Sequence, residues 1–555
     1  MSDAAATPWE LPDDVGVLQD LVGEKLAQLR EKELRIAVLE EQLRLATHKR
    51  FGSSSEKFDP DQLGLFNEAE GIAQSAPDAA TEITVPEHTR QKSGRKPLAD
   101  HLPRVRVEHD IAATERMCPC GSGHERPRIG EIVTEQSDII PAQVQLLQHV
   151  RFKYGPCRQC DGVFPDVVAD TPSTPGTETA ATPTVVAAAA QTIEEPRAII
   201  IAPLPAQPIP KSNASPGTCA YITTAKYADG LPLYRLETIL ARSGLAISRA
   251  TMAWMIRLGQ VVVPLMNLMD EIQCGYDVLQ MDETTVQVLK EDGRAAQSKS
   301  RMWVRRGGPP DKPIVLFNYE QTRSGAVAWR LLEDFKGFLQ SDGYSGYIAV
   351  GSREGTVHIG CLAHARRKFD EALKARKATG KGGLAAEGLA LIQKIYRIEK
   401  VAREAKLTPD QRRQLRDEKA RPVWNELGKW LDAKRGQAPP QSLIGKALGY
   451  LDNQWAGLIR VLDDGRLEVD NNLCENAIRP FVMGRKAWLF CDTPAGAEAS
   501  ARLYGLIETA KANGLEPYAY LKLVFTELPK ATTLADVETL LPWQVATAAT
   551  PSVAA

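Results

Sequence analysis

Residues 278–289, VLQMDETTVQVL, have the composition of a β-strand, with an aspartate, Asp282, inside it. A carboxylate buried in such a strand is costly unless it is paired or binds a cation. Whatever fold the chain adopts must bring compensation to this strand. The following sequence offers an ordered set of neighbours. RMWVRRG (301–307) and PIVLFNY (313–319) read as two more strands, and AVAWRLLEDF (326–335) as a helix. GFLQSDGYSGY (337–347) starts as a short strand ending at Asp342 and a glycine turn. VHIGCL (357–362) reads as a fifth strand and AHARRKFDEALKARK (363–377) starts a helix. This succession of strands and helices is the ribonuclease-H-like order, in which the first and fourth strands are neighbours. Asp282 and Asp342 then face one another.

A third acid comes from LEVDNNLCENAIRP (467–480), where Asp470 and Glu475 stand among amides. Alone, this stretch reads as a helix start, with Asn472 as cap, Glu475 reaching back to it and Arg479 pairing one turn later. Beside the two strand acids it reads differently. Glu475 then completes a carboxylate cage for two Mg²⁺ or Mn²⁺ ions, which are hard and take oxygen ligands. Such a pair can activate an attacking oxygen and stabilise a leaving one. The interval between Asp342 and Glu475 is far longer than one helix and loop require. Within it, residues 378–462 are mostly helical in pattern, which predicts an all-α insertion that either clamps DNA or shields the sheet. Basic residues flank the proposed site: Arg366, Arg367 and Lys368 after His364, and Arg479, Arg485 and Lys486 after Glu475. Phe481, Trp488 and Phe490 interleave with the second group, a combination suited to phosphate neutralisation and base stacking, although each run also fits an ordinary helix face.

Upstream, the positions Leu18, Val22, Lys25, Leu29, Lys32, Ile36, Leu39 and Leu43 alternate by four and three, and all but the two lysines are apolar. This predicts a coiled-coil helix over 18–45 that self-associates or packs on its own chain. Residues 67–100 are polar, and RQKSGRKP (90–97) is basic, as befits a linker. Residues 101–165 hold Cys118, Cys120, Cys157 and Cys160, two close pairs able to close a zinc shell and so hold together a small unit. Residues 166–217 are rich in Pro, Ala and Thr and read as linker. At 231–258, a helix through Ile239 and Leu240 stops near Gly244, and Ser248 caps a second helix with Met252, Met255 and Ile256 inward. That pattern fits a helix-turn-helix offering Arg249 and Thr251, or a plain αα-hairpin.

Charged residues at 25% and a formal net charge of −2 give no global nucleic-acid signal, so any such signal is local. Nine cysteines in 555 residues do not make a disulfide scaffold. No secretory h-region and no membrane-spanning apolar run is evident, which predicts a cytoplasmic, multidomain α/β protein without a membrane partner.

The chain resembles the insertion-sequence-66 family of bacterial DDE transposases. The resemblance rests on RFGSSSEK (50–57), GRKPLADHLPR (94–104), KYADGLPLYR (226–235), MDET (281–284), SDGYSGY (341–347), CLAHARRKF (361–369), VDNNLCENAIRP (469–480), GRKAWLF (484–490) and LIETAKANGLEPYAYL (506–521). With the sequence pattern it divides the chain into a zipper-like helix (1–50), a linker (51–100), a zinc-finger-like domain (101–165), a low-complexity linker (166–217), whose 171–198 stretch looks like an addition to the family's plan, and a helix-turn-helix (218–262). A ribonuclease-H-like core in two parts (263–377 and 463–510) then flanks the helical insertion (378–462), before a C-terminal segment (511–555). It places Asp282, Asp342 and Glu475 on the metal-binding triad and Cys361 and His364 on a site-shaping C-x-x-H pattern. It also implies zinc, DNA ends with terminal inverted repeats, target DNA, a dimer or larger synapse, small accessory proteins and a nucleoid-associated location. The pair Cys118-x-Cys120 is shorter than the family's usual C-x-x-C. A DNA-binding regulator without catalysis and a nuclease or resolvase of the same fold are the rival expectations.

Overall fold

The computed structural model describes residues 15–51, 144–154, 200–201, 203–253, 255–375 and 383–549. Cys118, Cys120, Cys157, Cys160 and the basic RQKSGRKP stretch lie outside them. The chain divides into two units: Met1–Ala76, Leu147–Arg242 and Ala246–Ala555 form the larger, and Pro77–Leu146 with Ser243–Leu245 the smaller. The elements below belong to the larger unit.

Its centre is a mixed five-stranded sheet of β1 (Val278–Gln287), β2 (Lys299–Gly307), β3 (Ile314–Glu320), β4 (Gly337–Gln340) and β5 (Thr356–Ile359). The spatial order is β3-β2-β1-β4-β5. β1, β2 and β3 pair antiparallel, whereas β4 joins β1 in parallel, with Gln280 opposite Gln340. The first and fourth strands are therefore neighbours. Two helices, α7 (Gly325–Leu331) and α8 (Ser345–Gly351), follow β3 and β4. Alternation along β1 sends Leu279 and Met281 into a core with Trp303, Val327, Ala328, Leu331, Tyr347 and Val350. The opposite face carries Gln280, Asp282 and Thr284. It is covered by α14 (Asn472–Trp488), whose Cys474 N–H donates to Gln280 Oε1 and whose Arg485 donates to Thr284 Oγ1.

Helix α9 (Leu362–Lys374) leaves β5 and starts a second core. The predicted insertion is helical: α10 (Gly383–Glu404), α11 (Pro409–Leu415), α12 (Arg421–Lys434) and α13 (Leu443–Ile459), with a π-turn at Arg416–Ala420. Ile392, Ile395, Trp424, Leu427, Leu448 and Leu451 bury themselves with Leu362 and Phe369 of α9. The insertion thus shares a core with the β5 end of the sheet, through Ile359. It also ties down the loop before α14. Arg416 bridges Glu399 and the carbonyls of Val461, Asp464 and Leu467, while Arg412 joins Glu399 to Glu468.

Helix α1 (Val15–Phe51) is continuous. Its C-terminal half touches the end of α9, where Arg44 Nε donates to Ala375 O (2.9 Å), and the insertion, where Glu41 accepts from Leu443 N (2.9 Å). The apolar seam does not turn inward: Val22, Leu29, Ile36, Leu39 and Leu43 are each more than half exposed.

The helix-turn-helix region contains α2 (Pro216–Tyr227), α3 (Leu233–Arg242), α4 (Arg249–Met252) and α5 (Met255–Val261). α3 stops before Gly244, whose φ of 81° suits glycine, and Ser248 caps α4 by accepting from Thr251 N. Met252 and Met255 are buried as expected, and the side chain of Ile256 is outside the described residues. The expected second helix is broken: Ala253 closes α4 after a single turn and the chain resumes as α5. Helix α15 (Pro494–Ala512) seals the β3 edge, with Thr509 Oγ1 bonded to Val315 N and O. Among the described residues no single helix is long and apolar enough to cross a membrane.

Candidate active site

β1 and β4 run parallel, and Asp282 and Asp342 each stand two residues past the paired Gln280 and Gln340. β4 is shorter than expected, ending at Gln340, so Asp342 sits in the turn, where its Oδ1 accepts from Tyr344 N (3.0 Å). Both acids consequently lie at the same end of adjacent strands, whose axes are roughly 4.8 Å apart. Glu475 reaches them from the first turn of α14. The charges of Glu475, Glu283 and Asp342 add to burial in pushing the Asp282 carboxyl well above the usual carboxylate range. Asp282 Oδ1 accepts only the neighbouring Glu283 N–H (2.8 Å) among the hydrogen bonds described.

The DNN segment explains how Glu475 is delivered. The N-cap is Asn471, not Asn472, and no side chain caps the helix. The capping-box alternative is thereby corrected, for a physical reason: the Asn471 amide is directed into the sheet and donates to Met281 O (3.0 Å). Its backbone N–H donates to Cys361 Sγ (3.2 Å). A buried amide clasp completes the join. Gln280 donates to Gln340 Oε1 (2.8 Å) and to Asp470 O (3.3 Å), and Gln340 donates to Glu468 O (2.6 Å). Gln280 and Gln340 thus couple both acid-bearing strands to the segment that carries Glu475. Asp470 is buried, and burial raises its carboxyl to about 6 despite hydrogen bonds from Asn472 and Tyr396.

The chemistry of this trio fits a hard divalent cation. All three offer oxygens, they repel one another, and Glu475 Oε1 is a buried atom without a hydrogen-bond partner. The carbonyl oxygens of the Asn471 and Asn472 side chains are likewise buried and unbonded. Two guanidinium groups stand at the rim: Arg323 at 3.6 Å from Asp342 and Arg367 at 3.7 Å from Glu475. Arg323 also stacks over Tyr344 (4.2 Å) and bonds Glu283, which the Tyr347 hydroxyl holds from the other side. Glu283, Arg323, Tyr344 and Tyr347 were not singled out in the sequence. MDET holds Glu283 and SDGYSGY holds Tyr344 and Tyr347, whereas Arg323 lies in neither motif.

The basic groups divide. Arg249, Thr251 and Arg479 are exposed. Lys368 lies over the Tyr450 ring (4.9 Å), and Arg485 is engaged with Thr284 and Thr285 of β1. Arg366 is only 7% exposed: its side chain packs inward rather than toward solvent, against the expectation of a surface phosphate contact there. The aromatic expectation is also revised. Phe481 is fully buried and packs edge-on against Trp488 and Tyr504, leaving Phe490, 44% exposed, as a ring available for stacking. Cys361 is buried and His364 partly so; burial and the charges of Glu475 and Asp470 push the Cys361 thiol well up. One ligand atom from each of Cys361, His364 and Glu475 lies within 4.8 Å of the others.

Similarity to known proteins shows the family. The family described as "Transposase IS66 family" matches residues 211–499, which include the whole sheet, the insertion and α14. "Transposase C of IS166 homeodomain" matches 38–107, the "zinc-finger binding domain of transposase IS66" matches 115–161, and the "IS66 C-terminal element" matches 505–543. The zinc-finger match spans all four cysteines expected to bind zinc. Relatives from Sinorhizobium fredii match along most of their length. Uncharacterized protein y4jD is 31% identical, over 87% of this chain and 89% of its own. Uncharacterized protein y4qI is 29% identical, over 93% of this chain and 85% of its own. With a five-stranded sheet, a helical insertion and family matches before, across and after them, this chain belongs to the IS66 transposase family.

Proposed function

We propose that the chain cuts the ends of its own mobile element and joins them to new DNA, using Asp282, Asp342 and Glu475 in a ribonuclease-H-like core. The observation that carries the reading is that Asp282 and Asp342 stand just past the paired ends of two parallel strands, and that burial together with the charges of Glu475, Glu283 and Asp342 pushes the Asp282 carboxyl well up. The three carboxylates would hold two Mg²⁺ or Mn²⁺ ions, which when bound supply Lewis-acid activation and charge neutralisation at the phosphodiester. Arg323 and Arg367, now beside Asp342 and Glu475, are positioned to pass to phosphate oxygens once cations neutralise the acids. Gln280 and Gln340 keep the two strand acids in register throughout. Water attack at the element end would leave a 3′-hydroxyl there and a 5′-phosphate on the flanking strand; that hydroxyl would then attack a target phosphorus, the target's own 3′-oxygen leaving, so that one ester bond replaces another without an external energy source.

Around this centre, Arg479, Arg485, Lys486, Arg367 and Lys368 form the phosphate-binding rim, with Phe490 as a stacking ring. The zinc unit, holding Zn²⁺ through Cys118, Cys120, Cys157 and Cys160, and the helix-turn-helix with Arg249 and Thr251 read the terminal inverted repeats. The exposed seam of α1 pairs with a second copy, because two ends must meet in one assembly. Small accessory proteins of the element complete that assembly.

Incubating the full chain with labelled element ends, target DNA and Mg²⁺ tests the reading. Joined products are expected. Cleavage without joining would favour a nuclease, and bound but uncut DNA a regulator. Asp282→Asn is expected to retain end binding and lose cleavage; cleavage that persists removes Asp282 from the mechanism.

A further inference from the structure

The Cys361–His364–Glu475 trio differs chemically from the three acids. Thiol, imidazole and carboxylate are the donors that zinc and similar cations favour, whereas Mg²⁺ favours oxygen alone. Local structure presents all three donors to one point. Cys361 is the N-cap residue between β5 and α9, His364 follows in the first turn of α9, and Glu475 stands in the first turn of α14. His364 Nδ1 and Glu475 Oε1 are buried atoms with no hydrogen-bond partner, 3.8 Å apart. Glu475 is 9% exposed at its side chain, and His364, at 23%, leaves a way in. Buried polar atoms are rarely left unbonded, and a cation between these two would satisfy both. The third donor is also prepared. Cys361 Sγ accepts the Asn471 N–H at 3.2 Å, a backbone contact of the kind that supports a thiolate ligand.

We propose that Cys361, His364 and Glu475 form a second metal centre, selective for a thiophilic divalent cation such as Zn²⁺, whose occupation withdraws Glu475 from Asp282 and Asp342 and switches the enzyme off. On binding, the Cys361 thiol releases its proton to solvent and no electron is transferred. The metal-binding half of the inference stands on the geometry of the trio. The switching half rests on the reading of Glu475 as the third acid of the active site.

The test uses the full-length chain, stripped with chelator and titrated with Co²⁺. Bound metal is counted and the near-ultraviolet thiolate-to-cobalt absorption is read. The cysteines within 115–161 add their own share, so the difference between variants isolates this centre. Cys361→Ser is expected to lose one bound Co²⁺ and the matching part of the band. His364→Gln is expected to keep a thiolate band but to bind at least about tenfold more weakly. In a second arm, end cleavage in Mg²⁺ is titrated with Zn²⁺, each variant being normalised to its own rate in Mg²⁺ alone. The zinc concentration for half-inhibition is expected to rise at least about tenfold in both variants. Unchanged cobalt stoichiometry and affinity in both variants would overturn the site. Weakened binding with unchanged zinc sensitivity would overturn the switch. A wild-type chain that never cleaves would overturn the functional reading instead, and the cobalt arm would still decide the site.

Discussion

Two groups of buried carboxylates lie a short way apart in this molecule, and they are treated in opposite ways. In the helical insertion, Glu399 is almost fully enclosed, yet hydrogen bonds and charge from Arg416 and Arg412 outweigh its desolvation and hold its carboxyl below the usual range. At the sheet, burial first, and then the charges of Glu475, Glu283 and Asp342, push the Asp282 carboxyl up. The first group is matched charge for charge and fastens a loop. In the second, Arg323 and Arg367 stand beside Glu283, Asp342 and Glu475, whereas Asp282 has no cationic partner among the described ion pairs, an arrangement we expect to favour bound cations. Buried charge fastens architecture here where it is fully matched, and it points to a candidate site where the match is incomplete. The two sites are also linked in series, since the Glu399 knot anchors the segment that delivers Glu475.

This contrast can be broken by experiment. The largest expected effect is Glu399→Ala, which leaves Arg416 buried without its counter-charge and Arg412 paired with Glu468 alone, and costs about 3–5 kcal/mol. Hydrogen exchange across 383–462 should report the loss, and unaltered protection there would show that the knot carries no stability. Next, Mg²⁺ at about 100 times its dissociation constant should stabilise the wild type by roughly 2.7 kcal/mol, a gain that disappears in Asp282→Asn. Thermal melts with and without the metal measure it. Gln340→Leu should be milder in stability, at about 1–3 kcal/mol, because Glu468 O is left without its buried donor. The informative readout is Mg²⁺ affinity, which should fall in this variant if the clasp sets acid geometry and stay constant if the clasp only fills space.

The smallest effect is one of sign, seen in chelator. Glu399 has a depressed native value, so its contribution is present above the ordinary carboxylate range and is lost as pH falls through that native value. Asp282 has a raised native value, so its penalty is present at neutral pH and is relieved as pH falls through it. Mild acidification should strengthen protection in β1 before stronger acid weakens it in α10. Parallel loss in both elements would end the distinction.

Much of the candidate site was legible in the chain. Asp282 stood out because an acid in a strand demands an explanation, and the strand–helix succession put Asp342 beside it. Glu475 was singled out by its unusual company of amides, although the capping reading of those amides was mistaken. Asn471 is directed to Met281 O, a partner nearly two hundred positions away, and no local pattern reveals such a bond. Arg366 failed for a similar reason. A run of basic residues on a helix has two faces, and only packing selects which one meets solvent. Phe481 and Trp488 were taken for stacking rings, whereas Phe317 and Tyr504 enclose Phe481 in the core.

What the sequence determined alone was the inventory and order of elements, because hydrophobic periodicity, glycine turns and capping residues act over a few neighbouring positions. The tertiary structure decided which charges were matched and which were left crowded. That outcome depends on long-range approach: Arg416 to Glu399 across a π-turn, Gln340 to Glu468 across an entire insertion, and Cys361 and His364 to Glu475 between two helix starts. Electrostatic energy follows distance in space and burial, and neither is written in the spacing of residues along a chain.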